Sequence, residues 1–222
     1  MMSNKPAALP PDAIKSIVLI CLADSLVGLS YGSLAISEGF PLWVPLSLSL
    51  LVLAGASEFM FIGIVAGGGS PLTAAAAGLL VNLRHFPFGI AVKDLAGRKR
   101  LSWLGCHIMN DESVVVGISQ ENLVQRRAAY WACGLGIAFC WPVSVLAGAW
   151  LGRFIPDTQA MGLDAVFPAI LIALIFPALL KRRVAIPASV GAAVSLITVP
   201  FLPAGMPVLC AMAGMLAWRG DK

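Results

Sequence analysis

Charge is what this sequence has least of. Asp, Glu, Lys and Arg make up 12% of its 222 residues, about half the ~25% of an ordinary soluble domain. A water-soluble globule of this length needs more polar surface, so a soluble enzyme domain is excluded. Disorder is excluded as well, because it requires low hydrophobicity and high net charge. The net charge of +4 is too small and too scattered to bind nucleic acid. Histidine is nearly absent, with two residues, and no H-E-x-x-H occurs, which excludes an intramembrane zincin. No metal and no cofactor is expected. Five cysteines (Cys21, Cys106, Cys133, Cys140 and Cys210) show neither metal-ligand spacing nor a paired framework. Most lie in apolar runs, where Cys behaves as a small hydrophobe. A cleavable signal peptide is not expected either. The first fifteen residues hold Lys5, Lys15 and three prolines, and the apolar run after them lacks a short hydrophobic region ending in a small-residue cleavage site.

What the chain has instead is apolar length. Hydrophobic residues reach 59% and the mean hydropathy is +0.90. Runs of bilayer-spanning length fall at about 16–36, 42–66, 70–92, 128–150, 160–180 and 184–203, with a shorter one at about 205–218. About 20 helical residues cross a ~30 Å hydrocarbon core. The runs are apolar on all sides rather than alternating, which argues against a membrane barrel. The fold expected is therefore all-α: a polytopic membrane helical bundle with broken or re-entrant helices, in lipid. It is read as a single transmembrane domain over 1–222, preceded by a short cytoplasmic segment, 1–15.

Thirteen of the fifteen Lys and Arg fall in five groups: Lys5 and Lys15; Lys93, Arg98, Lys99 and Arg100; Arg126 and Arg127; Lys181, Arg182 and Arg183; Arg219 and Lys222. The positive-inside bias places all five groups in the cytoplasm, together with both termini. Segments 67–92 and 101–125 then enter and leave on one face or lie at the interface. The tract Gly67-Gly68-Gly69-Ser70-Pro71 supports this, since glycines followed by proline fit a helix break and restart. The alternative has both segments crossing, with the Lys93–Arg100 group outside.

Polar groups stand where lipid should be. Asp24 lies mid-way along the first run, Glu58 in the second, Arg84 and His85 towards the end of the third, and His107, Asn110, Asp111 and Glu112 together in the segment 101–125. Intramembrane charges cost about 2.5–3.5 kcal/mol each on insertion scales and mark pairs or pathways. This recurrence among broken helices suits a translocation route. In the bland reading, Arg84 is a structural partner of Asp24 or Glu58. His107 and Asp111, four apart, would share one face of a helix, either as a proton-handling pair or on a cytoplasmic surface. Gly28-Leu29-Ser30-Tyr31-Gly32 matches G-x-S-x-G, so an intramembrane serine hydrolase using Ser30, with His85 or His107 as base, stays an alternative. Set inside an apolar helix, however, Gly28 and Gly32 read as a small-xxx-small packing face, a spacing repeated at Gly63/Gly67 and Gly148/Gly152. A non-transporting structural membrane subunit is the third class.

At Gly55-Ala56-Ser57-Glu58-Phe59, Asn82-Leu83-Arg84-His85 and Asn110-Asp111-Glu112 the sequence resembles the AzlC family, from about residue 15 to 218. These are the large subunits, of YgaZ or BrnF type, of bacterial branched-chain amino acid exporters. The resemblance implies an inner-membrane secondary transporter and not an enzyme. It implies export of branched-chain or other hydrophobic amino acids, coupling to an ion gradient, and a small partner subunit of the AzlD type. The chain departs from the family's usual residues with Glu58 in place of Gln, Asn110 in place of a frequent Thr, and the acid Asp24 in the first span.

A zwitterionic substrate needs a partner for its carboxylate, one for its ammonium and an apolar pocket. Ser57 and the Gly67–Ser70 break, with Asn82, Arg84 and His85, are the expected carboxylate groups, since broken helices offer free N–H groups. Glu58 or Asp24 would face the ammonium, and Phe59 or Phe61 would line the pocket. Asp24, Glu58, Asp111 and Glu112 are the expected ion-coupling residues, because a buried carboxyl group can take up and release a proton. No catalytic residue is assigned.

Overall fold

A computed structural model describes residues 9–97, 100–154, 165, 169, 172, 176 and 178–217. Every regular element among them is helical. In order these are α1 (Pro11–Ser37), α2 (Trp43–Leu51), α3 (Gly55–Ala66), α4 (Pro71–Asn82), α5 (His85–Ala91), α6 (Arg100–His107), α7 (Asp111–Ile118), α8 (Leu123–Gly152), α9 (Arg182–Thr198) and α10 (Met206–Cys210), the last running into a 3₁₀ helix, Ala211–Ala217. The expected all-α membrane architecture is present. Among the described residues, α1 and α8 are the two helices long and apolar enough to cross a membrane. The expected span 160–180 lies outside the described residues except at isolated positions.

The chain forms two compact units, Met1–Gly55 with Asn82–Thr158, and Ala56–Val81 with Gln159–Lys222. The first is built on α1 packed along α8. Their contact is a seam of small residues, which lets backbones approach closely enough for dispersion to hold two helices in lipid. A Cβ on Gly28 would strike Ser144 Oγ; on Gly32, the Val145 carbonyl oxygen; on Gly148, the backbone of Leu29; on Gly152, Ser33. Both G-xxx-G pairs therefore face each other across one interface. The third pair does not join in: among the described residues an added Cβ on Gly63 would meet nothing within 4 Å, so no packing partner for Gly63/Gly67 stands among them. Tyr31 stacks on Trp141 beside the seam, centroids 6.0 Å apart.

One end of this unit is tied to α8 by hydrogen bonds from side chains to free carbonyls. Tyr130 O–H donates to Gly105 at 2.6 Å, Trp131 Nε1–H to Leu95 at 2.9 Å and Arg127 Nη2–H to Asp94 at 2.7 Å. Val92, Leu95, Ala96, Ile108, Val114 and Tyr130 bury one another between these ties. The start of α7 is thereby held against a rigid base.

Three apolar runs are broken where a lipid-facing helix would continue. The expected span 42–66 is two helices, because the chain turns at Leu53, whose φ of +49° is the left-handed conformation a side chain disfavours. The run 70–92 divides into α4 and α5 at Leu83–Arg84, and 101–125 into α6 and α7 at Ile108–Asn110. None of α4, α5, α6 and α7 exceeds 12 residues, roughly 18 Å of helix, which is too short to cross alone. Irregular backbone of this kind is tolerated at membrane depth only against protein or a cavity.

In the second unit, α3 and α4 form a hairpin about the glycine tract, and Ile64, Ala74 and Ala77 pack with Val208 and Leu209. The expected break and restart is there. Gly68 takes a positive φ of 86°, and Ser70 Oγ accepts the Thr73 N–H at 3.1 Å to cap α4, with Pro71 as its first residue. Gly205, also at positive φ, fits under Ile64 and Thr73, where a Cβ would lie 2.7–2.8 Å from their methyl groups.

Candidate functional site

The start of α7 gathers most of the polar groups of the first unit. Asn110 is extended, with φ −140° and ψ 175°, and caps the helix reciprocally. The Ser113 N–H donates to Asn110 Oδ1 at 2.8 Å, and the Asn110 N–H donates to Ser113 Oγ at 3.0 Å. Ser113 is fully buried and Asn110 is 6% exposed. Asn-x-x-Ser is a local capping box, so the sequence alone carried the signal for both side chains. Sequence reasoning marks Asn110 as an intramembrane polar group and a motif residue, and misses Ser113.

Capping aims the first turn, and with it Asp111, at Arg84. Arg84 Nη1 meets Asp111 Oδ2 at 2.6 Å. This corrects the expected pairing of Arg84 with Asp24 or Glu58: the partner is Asp111, brought up by the break at Ile108–Asn110. The two side chains keep 29% and 27% of their surface exposed, so the pair is reachable rather than sealed. The same break undoes the expected His107–Asp111 face. His107 ends α6, exposed, and Asp111 opens α7, so no single helix carries both.

Around this pair the charges do not balance. Glu112 lies within Coulombic range of both Arg84 and Asp111, and Asp24 on α1 lies within range of Glu112 and Asp111. Asp111 and Glu112 lie within reach of the one guanidinium, and Asp24 adds a third carboxyl group beside those two. Two buried donors in these residues have no acceptor among the described residues: Arg84 Nε and Asn110 Nδ2. Among the described residues no group of His, Cys, Asp and Glu is arranged to hold a metal ion.

The remaining expected residues are placed as follows. His85 opens α5 with its Nδ1 3.1 Å from the Asn82 carbonyl oxygen and its ring edge-on to Phe88. Asn82 ends α4. Ser57, Glu58 and Phe59 lie in the second unit, in the first turn of α3, and are buried, Glu58 completely; Ser57 sits 3.5 Å from where a Cβ on Gly78 would lie. At the glycine break, the N–H groups of Gly67, Gly68 and Gly69 donate to the Gly63, Val65 and Ile64 carbonyls, so these three are engaged by α3 itself. Ser30 sits in the interior of α1 and donates to the Leu26 carbonyl at 3.2 Å. It is not on a strand-to-helix turn, and the glycines flanking it are spent on α8.

The AzlC protein family matches residues 19–155, a stretch holding about two thirds of α1 and every element from α2 through α8. A Bacillus subtilis relative, the branched-chain amino acid transport protein AzlC, is 24% identical over 196 residues, covering 86% of this chain and 76% of the relative. Two Helicobacter pylori relatives, each described as an uncharacterised membrane protein, are both 28% identical, over 178 and 168 residues. In each case this is 73% of this chain and 72% of the relative. No solved structure matches the chain.

Proposed function

We infer the activity from one premise: this chain belongs to the AzlC family. On that premise it is a membrane protein of amino acid transport. We propose that it is a multi-pass secondary transporter of the bacterial inner membrane, exporting branched-chain and other hydrophobic amino acids. Efflux is coupled to the proton gradient, both termini are cytoplasmic, and a small AzlD-type subunit completes the assembly.

The observation that supports transport over a structural subunit is the reachable Arg84–Asp111 pair amid surplus carboxyl groups at a helix break. An anchor has no use for ionisable groups inside the membrane, whereas a translocation route uses them as exchangeable partners. Discontinuous helices carrying such groups are the usual site architecture of secondary transporters. The short lengths of α5, α6 and α7 favour a re-entrant path for 67–92 and 101–125 over two further crossings. Proton coupling is assigned to Asp24 and Glu58, because ionisable groups within membrane spans mark proton and ion pathways. The test is counterflow in proteoliposomes, with each of the twenty amino acids, with and without a co-expressed small subunit. Leucine, isoleucine and valine should exchange. Counterflow of none of the twenty, with the subunit present, refutes the reading.

A further inference from the structure

We propose that the buried start of α7 is the seat of the substrate's α-carboxylate, with Asn110 Nδ2 and Arg84 Nε as its donors, and that Asp24 and Glu112 take the α-ammonium. The inference rests on the amino acid transport reading and adds the binding groups and the substrate class, free α-amino acids with both groups unblocked.

Asn110 Oδ1 receives the Ser113 N–H, which settles the orientation of the amide, because a flipped amide would set two donors against each other. Nδ2 therefore carries the amide protons, in a residue 6% exposed, and has no acceptor. A buried donor without a partner is costly, so native proteins rarely leave one unused. Arg84 repeats the pattern. Its Nη1 is engaged by Asp111, while Nε is buried and without an acceptor. Asp111, next in sequence to Asn110, joins these two residues at the N-terminal end of α7, where the helix dipole and the first-turn N–H groups favour an acceptor with negative charge.

The neighbouring carboxyl groups then narrow the ligand. A plain inorganic anion at this spot would face Asp111, Glu112 and Asp24 and be repelled. A plain cation would leave Asn110 Nδ2 and Arg84 Nε without acceptors. A zwitterion with its charges about one carbon apart satisfies both sets, carboxylate to the donors and ammonium to the acids. The hydrogen bonds to a charged carboxylate are the stronger kind.

The test uses the full chain in detergent. The probe is whichever of the twenty standard amino acids the parent binds most tightly, measured beside the amine obtained by removing its carboxyl group. Asn110→Asp keeps the Oδ1 cap and the shape while replacing the donor by an acceptor. It should weaken amino acid binding at least about tenfold, the loss of one hydrogen bond to a charged group, and leave amine binding unchanged or tighter. Arg84→Lys, which keeps a cation for Asp111 and deletes Nε, carries the same expectation and decides the matter if Asn110→Asp does not fold. Unchanged amino acid affinity in the folded variant overturns the seat. So does a parallel loss of amine and amino acid, which marks a structural effect. A parent that binds none of the twenty overturns the transport reading itself, and the seat with it.

Discussion

Two glycines with the same sequence spacing should respond oppositely to the same methyl group. Gly32 and Gly63 each open or close a G-xxx-G pair in an apolar helix. At Gly32 an added Cβ would overlap the Val145 carbonyl oxygen and stand 2.8 Å from the Ala149 nitrogen. These are backbone atoms of α8 and cannot rotate away. Ordinary contact is about 3.5–4.0 Å, so α1 and α8 must separate by roughly 1.5 Å or more at the Val145 carbonyl, a gap that forfeits about half or more of the dispersion well at neighbouring contacts. Overpacking of this kind costs about 1–3 kcal/mol. At Gly63 nothing lies within 4 Å, and the position is exposed. There alanine contributes only its better helix propensity, about 0.5–1 kcal/mol in favour. The assay is thermal unfolding of the purified chain in detergent, followed by size-exclusion fluorescence. At roughly 2–4 °C per kcal/mol for this size, Gly32→Ala should lose several degrees and Gly63→Ala should hold or gain one or two. A Gly32→Ala protein as stable as Gly63→Ala would refute the close approach of α1 and α8.

Arg84→Ala should insert and fold with a modest stability loss of about 1–2 kcal/mol, because its pair with Asp111 is a quarter exposed and intermediate between surface and buried pairs, while amino acid binding is lost. A folded Arg84→Ala protein with the parent's affinity, by equilibrium binding, removes the site from α7. Glu58→Gln should flatten the pH dependence of efflux in proteoliposomes. If that profile is kept, the proton carrier is Asp24 and Asp24→Asn flattens it, and retention in both variants refutes proton coupling through these carboxyls. In a background cleared of the five native cysteines, Cys introduced at Lys93 or Arg182 should react with an impermeant maleimide only from the cytoplasmic side. Labelling of Lys93→Cys from outside refutes the re-entrant path and favours two more crossings.

The sequence by itself determined the class and much of the skeleton. Lipid offers no hydrogen bonds, so each spanning segment must satisfy its own backbone, and that requirement is written locally as long apolar runs. For the same reason the break at Gly67–Pro71 was legible, since positive φ and a first-turn proline are one-residue signals. The Gly28/Gly32 face was legible too, because small residues four apart have few other uses in a membrane helix. The N-cap role of Asn110 lay equally open in Asn-x-x-Ser. Only the tertiary structure decided the rest. The partner of Arg84 is Asp111, 27 positions away, and that choice depends on how α6 and α7 fold back across a break. The turn at Leu53 has no glycine to announce it; a hydrophobic residue takes the left-handed conformation there, held by its surroundings rather than by its own preference. Gly63 has the same four-residue spacing as Gly28, and among the described residues an added Cβ there meets nothing within 4 Å. Composition and spacing describe what a helix can present, and the path of the chain decides what meets it.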